Sequence, residues 1–266
     1  MRKNLYTIAL ADITAAFIRC SLVGMLAYHD LRQRYQRSTL GPFWITISMG
    51  VMIGIIGTIF GRIFKSSNNE FLPFLAAGMI FWNFFSSVIS EGCTCFMVAE
   101  GIIKQLPIPL FVHLLRVVWR NILIMAHNIL IFPIVIIIVD KPLTLKVFVS
   151  IPGLLLVIVN LSWMALILGI LCTRYRDLPQ IVGAIMQVIF YLTPVMWMPS
   201  LLPQRAEVYL LDVNPVYHLI EIIRSPLLGQ LPSANNWIVC FALAFGGWLF
   251  ALAMYGRYKR RIPYWL

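Results

Sequence analysis

The sequence predicts an all-α integral membrane protein. It reads as six transmembrane helices, preceded by an amphipathic helix lying in the membrane interface, with re-entrant helices between the fifth and sixth spans. Three observations lead there. Of the 266 residues, 61% are hydrophobic and only 12% are charged, about half the charged share of soluble domains. Mean hydropathy is +0.87. Six apolar stretches are long enough, at roughly 20 residues, to cross the hydrocarbon core as helices.

Those stretches are 41–64, 71–90, 121–139, 147–171, 178–198 and 237–255. They leave no room for a separate soluble domain, so residues 1–266 are read as one membrane domain. Within it, 1–38 form the interface helix, 41–198 hold spans one to five, 199–236 form the re-entrant segment, and 237–266 hold span six with a basic tail. The first span begins only at residue 41, after acids, so no cleavable signal peptide is expected.

Asp12, Arg19 and Asp30 interrupt the apolar residues 5–30, where Phe17, Ile18, Leu22, Met25 and Leu26 recur at helical spacing. An interfacial helix keeps the charges near water. The alternative is a seventh span with Asp12 and Arg19 as a buried pair, but central charges cost at least about 2.5 kcal/mol each. Next comes a basic run with Arg32, Arg34 and Arg37, stopped by Leu40-Gly41-Pro42, and an apolar segment starting at once with Phe43-Trp44. Pro42 suits the first turn of a helix, where its missing N–H would be unpaired anyway. Arginines just before a span hold that end in the cytoplasm, and Phe43-Trp44 is expected at head-group depth.

The net charge of +11, from 21 basic and 10 acidic residues, does not indicate nucleic acid. With both termini inside, the cytoplasmic segments hold Arg116, Arg120, Arg174, Arg176, Arg257, Lys259, Arg260 and Arg261 besides those above. Outer Arg62, Lys65, Lys141, Lys146, Arg205 and Arg224 are nearly balanced by Glu70, Asp140, Glu207, Asp212 and Glu221. This is the positive-inside bias, aided by attraction to anionic lipid.

Three loops stand out. Glu100 to Lys104-Gln105-Leu106-Pro107-Ile108-Pro109 reads as a short helix on the basic side ended by a rigid elbow, because proline removes a donor and clashes with the preceding turn. Arg174-Tyr175-Arg176-Asp177-Leu178-Pro179 anchors two span ends, with Asp177 resembling a helix N-cap. The outer segment 199–236 carries five prolines around an apolar run, Val216 to Leu228, too short to span and too apolar for an open loop. A helix pair dipping back into the membrane fits both facts.

No Gly-x-x-x-x-Gly-Lys-Ser/Thr phosphate loop occurs, and no nucleophile, acid-base or paired-carboxylate set stands out, so the chain is read as not an enzyme. Its five cysteines are expected to be reduced and buried. Cys93-Thr-Cys95 lacks zinc-ligand spacing, so no metal is expected. His127 beside Asn128 is expected as a neutral imidazole bonding a neighbouring helix, and Glu91 as an interfacial acid. Aromatics gather on the first span (Phe43, Trp44, Phe60, Phe64) and the fifth (Phe190, Tyr191, Trp197). Such belts are ordinary at interfaces, but aromatic faces also offer amphipathic recognition surfaces on which sugar rings can stack.

Taken in order, Arg32–Trp44, Lys104–Pro109, Tyr175-Arg176-Asp177-Leu178, Phe190-Tyr191-Leu192-Thr193-Pro194-Val195-Met196-Trp197 and Asn214-Pro215 resemble the membrane subunit of type-2 ABC transporters that export lipid-linked polysaccharide, whether O-antigen, capsule or teichoic acid. The resemblance covers essentially the whole chain. It implies a permease that pairs with a second copy of itself and two ATP-binding subunits carrying ATP and Mg, with no cofactor in this chain. It implies a bacterial inner membrane, both termini cytoplasmic, and an undecaprenyl-diphosphate-linked glycan, O-antigen foremost, as substrate. Arg32, Arg34, Arg37, Leu40 and Gly41 would form the lipid-diphosphate entrance. Lys104, Gln105, Leu106, Pro107, Ile108 and Pro109 would couple to the ATPase as a cytoplasmic coupling helix. Phe43, Trp44, Phe190, Tyr191 and Trp197 would line the channel, and Asn214, Pro215 and Tyr217 the outer gate. Rival readings are a type-2 permease for drugs or lipids and a membrane-embedded transferase.

Overall fold

The computed structural model describes residues 5–35, 41, 43–64, 67–201, 203 and 211–266, and every regular element among them is helical. Helix α1 spans Leu5–Ile18 and α2 Cys20–Tyr35, their axes bent by 70° at Arg19. The 14 residues of α1 rise about 21 Å, short of the roughly 30 Å hydrocarbon core, and the bend turns α2 off that line. Both facts agree with a segment lying at the interface. Its apolar face is turned outward, as expected of a helix lying against lipid, but its acid does not face water. Large Leu5, Tyr6, Leu10 and Phe17 are exposed, while Ala9, Asp12 and Ala16 are buried. Lipid accepts the apolar outer face, and the one acid turns into the bundle. Arg19 is exposed, so the alternative Asp12–Arg19 buried pair does not form.

The remaining helices are α3 (Phe43–Ile63), α4 (Asn68–Val98), α5 (Glu100–Gln105), α6 (Phe111–Asn128), α7 (Ile131–Val139), α8 (Ser150–Arg174), α9 (Leu178–Leu192), α10 (Pro215–Leu227), α11 (Ala234–Tyr258) and α12 (Ile262–Trp265). Among the described residues five helical segments are long and apolar enough to cross a membrane: α3, α4 continued into α5, α6 with α7, α8 with the 3-10 turn before it, and α11. The bent pair α1–α2 would make a sixth only if counted as one broken span.

Proline sets several boundaries. Pro133 cannot donate to the Ile129 carbonyl, and α6 gives way to α7 at Ile129–Leu130. The fifth predicted span, 178–198, is helical only over the 15 residues of α9. Thr193, which precedes Pro194, is extended at φ −89°, ψ 134°, the conformation a residue before proline favours. The third span starts earlier than expected, at Phe111. In the outer segment, α10 is a buried helix, with residues 199–201 forming a single 3-10 turn; residues 202 and 204–210 lie outside those described.

Helix α4 is the centre. In its most apolar stretch 72% of residues are buried, against 17% for α3 and for α11. It packs against α8, α6, α3, α7 and α9. Small residues allow the closest of these approaches, as in lipid generally, where packing rather than hydrophobicity draws helices together. A Cβ added at Gly92 would lie 2.6 Å from the Ala165 Cβ, and one at Gly169 3.0 Å from the Gly92 carbonyl. Cys93, Cys95, Cys172 and Cys240 are buried as expected, but Cys20 is exposed, because it opens α2 at the outer side of the bend.

Gly92→Leu should therefore force α4 and α8 apart and cost about 1–3 kcal/mol or more, read as a lower thermal midpoint of the purified chain in detergent. Gly183→Ala, where nothing lies within 4 Å, should leave that midpoint unchanged.

Candidate functional site

The entrance predicted around Arg32–Trp44 is only partly described. Arg32 is exposed on α2. Arg34 belongs to the same helix with its side chain outside the described residues, as are Arg37, Leu40 and Pro42. Gly41 adopts φ +56°, a left-handed conformation that glycine reaches at no steric cost, and its carbonyl accepts the Trp44 N–H at 3.3 Å. Phe43 meets the His127 ring edge-on at 6.0 Å, and Thr46 donates to Asn128 Oδ1 at 3.5 Å. His127 lies sixteen residues along α6 from Phe111, or about 24 Å. Phe43-Trp44 therefore opens α3 beside the end of α6 remote from Phe111. His127 bonds the Leu123 carbonyl of its own helix, at 2.7 Å, and no neighbouring helix among the described residues.

Exposure separates the aromatic residues. Phe43, Trp44 and Tyr191 are 55%, 56% and 64% exposed. Trp44, Ile47, Val51, Ile55 and Ile59 form an uncovered stripe along α3, aromatic only where the helix begins. Phe60 and Phe64 serve packing instead, Phe64 meeting Phe71 edge-on at 5.9 Å. At the end of α9, Phe190 lies 5.2 Å from the Trp82 ring and 5.3 Å from Tyr191. Trp197 donates its indole N–H to the Tyr191 carbonyl at 3.1 Å. The structure thus collects Phe190, Tyr191 and Trp197 into one cluster at the end of α9, beside Trp82 midway along α4.

That cluster adjoins the expected gate. Asn214 caps α10, its Oδ1 accepting the Val216 and Tyr217 N–H groups at 3.0 and 3.4 Å, while its Nδ2 donates to Thr193 Oγ1 at 2.9 Å. Pro215 occupies the first turn, where no donor is needed. The fully buried Arg224 donates to the Pro194 carbonyl and to Glu221, and lies 4.0 Å from the Phe74 ring centre. Read from sequence as an outer surface charge, Arg224 is the bolt joining α10, the Thr193-Pro194 turn and α4.

On the basic side, α5 projects as the expected short helix. Leu106 is extended ahead of Pro107, at φ −122°, ψ 135°, which ends the helix. Lys104 bridges Glu100 at 2.6 Å. Gln105, Leu106 and Pro107 are exposed and Ile108 and Pro109 half-buried. Asp177 precedes α9 without capping it through its side chain.

Two carboxylates that sequence reading left as interfacial organise this end. Asp12 accepts the Phe111 N–H at 3.0 Å and the Tyr255 hydroxyl, and pairs with Lys259 at 2.6 Å. Asp30 accepts from Arg116 and, at 2.7 Å, from Arg120, which also bridges Glu91 at 2.6 Å; Asn121 donates to the same Glu91 oxygen. One network thus ties α2, α4 and α6. Beside it a cavity of about 220 Å³, lined by Glu91, His113, Arg116 and Arg120 among others, faces the buried His113. Neither nitrogen of that ring has a partner among the described residues. The cavity is roomy enough for waters that bridge its charged side chains. The sequence signal for the network was present in the i, i+4 pair Arg116 and Arg120, but a spacing does not name its acids. Among the described residues no group of His, Cys, Asp or Glu could hold a metal ion.

The ABC-2 type transporter family model matches residues 21–228. Two O-antigen export system permease proteins RfbA of Klebsiella pneumoniae are similar to the chain. One is 23% identical over 75% of this chain and 77% of its own length, the other 22% identical over 90% and 93%.

Burial alone would raise the Asp30 carboxyl, but hydrogen bonds and charge from Arg116 and Arg120 prevail and hold it below the ordinary 3.8. Its stabilisation is therefore complete above that value and is lost as pH falls through the lower folded pKa. Asp30→Asn should cost about 1.5–3 kcal/mol at pH 7, read by thermal unfolding. The gap from the parent should hold down to about pH 5 and narrow below 3.8.

Proposed function

The chain belongs to the ABC-2 type transporter family, and from that premise we propose that it is the channel-forming permease of an exporter of undecaprenyl-diphosphate-linked polysaccharide, O-antigen foremost. The family makes it a transport subunit that works with an ATP-binding partner, which accounts for the missing phosphate loop. Two copies of the chain and two ATP-binding subunits carrying ATP and Mg form the complex. It sits in a bacterial inner membrane with both termini in the cytoplasm.

The observation that carries this reading is the uncovered, aromatic-ended faces of α3 and α9. Both helices rest on α4, and Phe43, Trp44 and Tyr191 present rings outward. A second copy facing these helices encloses a path with rings at its start and end. Uncharged ring faces give weak, repeated contacts, which suits a long polymer that must bind and still slide. The names of the two relatives support the same substrate.

The mechanism follows the chain's own geometry. Arg32, Arg34 and Arg37 attract the lipid diphosphate, since guanidinium forks match phosphate oxygens. The Leu40-Gly41 turn leads from that site to Phe43-Trp44, and the glycan passes toward Phe190, Tyr191 and Trp197. Asn214, Pro215 and Tyr217 border the exit. ATP-driven closure of the partner subunits pushes on Lys104, Gln105, Leu106, Pro107, Ile108 and Pro109. The Pro-Ile-Pro elbow runs directly into α6, so a push there is delivered to the Asp12 and Asp30 networks.

Trp44→Ala and Tyr191→Ala should each lower surface glycan by about tenfold or more, roughly 1.4 kcal/mol of lost productive binding, while the complex with the ATP-binding subunit still co-purifies. Immunoblotting of surface polysaccharide reads the first and affinity co-purification the second. Normal export in both variants would remove the aromatic path. A purified chain that is active alone, with no ATPase partner, would remove the exporter reading.

A further inference from the structure

We propose that a cleft between the ends of α8 and α11 on the basic side is a binding site for an anionic phospholipid, its phosphate held by Arg174 and Arg257. The cleft has a volume of about 430 Å³ and an apolar floor that includes Ile170, Phe250 and Met254, with both arginines on its lining. An apolar floor under two cations fits a ligand with a phosphate head and an acyl tail.

The two arginines differ from their basic neighbours. Lys104, Arg116, Arg120 and Lys259 each bridge an acid. Arg174 and Arg257 are exposed and, like Arg176, Arg260 and Arg261, bridge no acid among the described residues, but of these five only Arg174 and Arg257 line the cleft. They lie over aromatic rings instead: Arg174 is 5.2 Å from the Tyr175 centroid and 5.5 Å from that of Trp265, and Arg257 is 5.8 Å from Tyr258. A guanidinium over a ring keeps its in-plane N–H donors free, which suits two-pronged capture of phosphate. Trp and Tyr are also the side chains that settle at head-group level, so the ring cluster marks the depth at which a lipid phosphate sits.

The occupant is a bulk phospholipid of the surrounding leaflet and not the exporter's glycan carrier. No residue of α3 or α9 lines the cleft, which is built from α1, α8, α11, α12 and Tyr175. It therefore lies apart from the aromatic faces assigned to the glycan, and the inference goes beyond that assignment. A head group held there joins α8, α11 and α12. Since α12 also packs on α5, the lipid braces the projecting helix from behind.

The test titrates the purified full-length chain in neutral detergent with dioleoyl phosphatidylglycerol, dioleoyl phosphatidylcholine or inorganic phosphate, reading bound lipid by native mass spectrometry and the thermal midpoint by intrinsic fluorescence. Phosphatidylglycerol should bind roughly thirtyfold more tightly than phosphatidylcholine, the scale expected of two surface cations, and should raise the midpoint. Inorganic phosphate should do neither. Arg174→Gln with Arg257→Gln should erase the preference, while Arg19→Gln, which removes an exposed charge elsewhere, should keep it. Equal binding of the two lipids by the parent overturns the site without reference to any variant. Loss of the preference in Arg19→Gln overturns it as diffuse charge attraction, and an equal response to inorganic phosphate overturns the lipid assignment. If the double variant keeps its lipid preference but loses the ATP-binding subunit, the cleft is a protein contact and the proposal fails.

Discussion

Asp12 is the constraint on which the rest of the arrangement depends. A carboxylate this deeply buried is tolerated only when its lone pairs are matched by donors and its charge by a cation. The structure supplies the Phe111 N–H, the Tyr255 hydroxyl and the Lys259 ammonium. These come from three separate places: the first residue of α6, the last turn of α11, and the residue just after it. One side chain thus fixes α1 against the start of the helix that follows the Pro-Ile-Pro elbow and against the end of the last long helix. Displacing the elbow without displacing α1 would leave a buried charge with fewer donors, so the two move together.

Asp30 repeats the device one helix later, through Arg116 and Arg120 to Glu91 on α4. Together the two acids couple the interfacial segment to the most buried helix of the bundle. Arg224 does the corresponding work at the opposite end, where it holds the turn after α9 against α10 and α4. The bundle is therefore stiff at both ends around α4, while α3 and α11 are bare along most of their length. A bare apolar face on a membrane helix is covered by lipid or by another subunit. The proposed function places a second subunit, with the substrate between, against the aromatic ends of α3 and α9.

Much of this was legible in the residues. The class followed from composition, and the long helices from apolar runs bounded by proline and charge. The projecting α5 followed from Pro107 and Pro109, and a helix at α10 from the apolar run Val216 to Leu228. What was not legible depends on partners distant in sequence. Asp12 and Asp30 looked like reasons to keep a helix at the water interface, because a charge in an apolar run is costly until its counter-charge is known, and Lys259 lies at the other end of the chain. Arg224 looked like a surface charge for the same reason. The register of Phe43-Trp44 against α6 could not be read either, since the start of a helix in sequence does not say how far along its neighbour it begins. The aromatic residues were found by type, but only exposure separates Phe60 and Phe64, which pack, from Trp44 and Tyr191, which do not.

The central claim is that glycan passes along the uncovered faces of α3 and α9. The most direct measurement places a photo-crosslinking amino acid at Trp44, at Tyr191 and, as a lipid-facing control, at the exposed Ile137 of α7, in cells making the lipid-linked polymer and the ATP-binding subunit. On irradiation, positions 44 and 191 should form polymer-length adducts that disappear when the ATP-binding subunit is withheld, and position 137 should form none. Adducts equally strong at all three positions, or absent from 44 and 191 in exporting cells, would contradict the account.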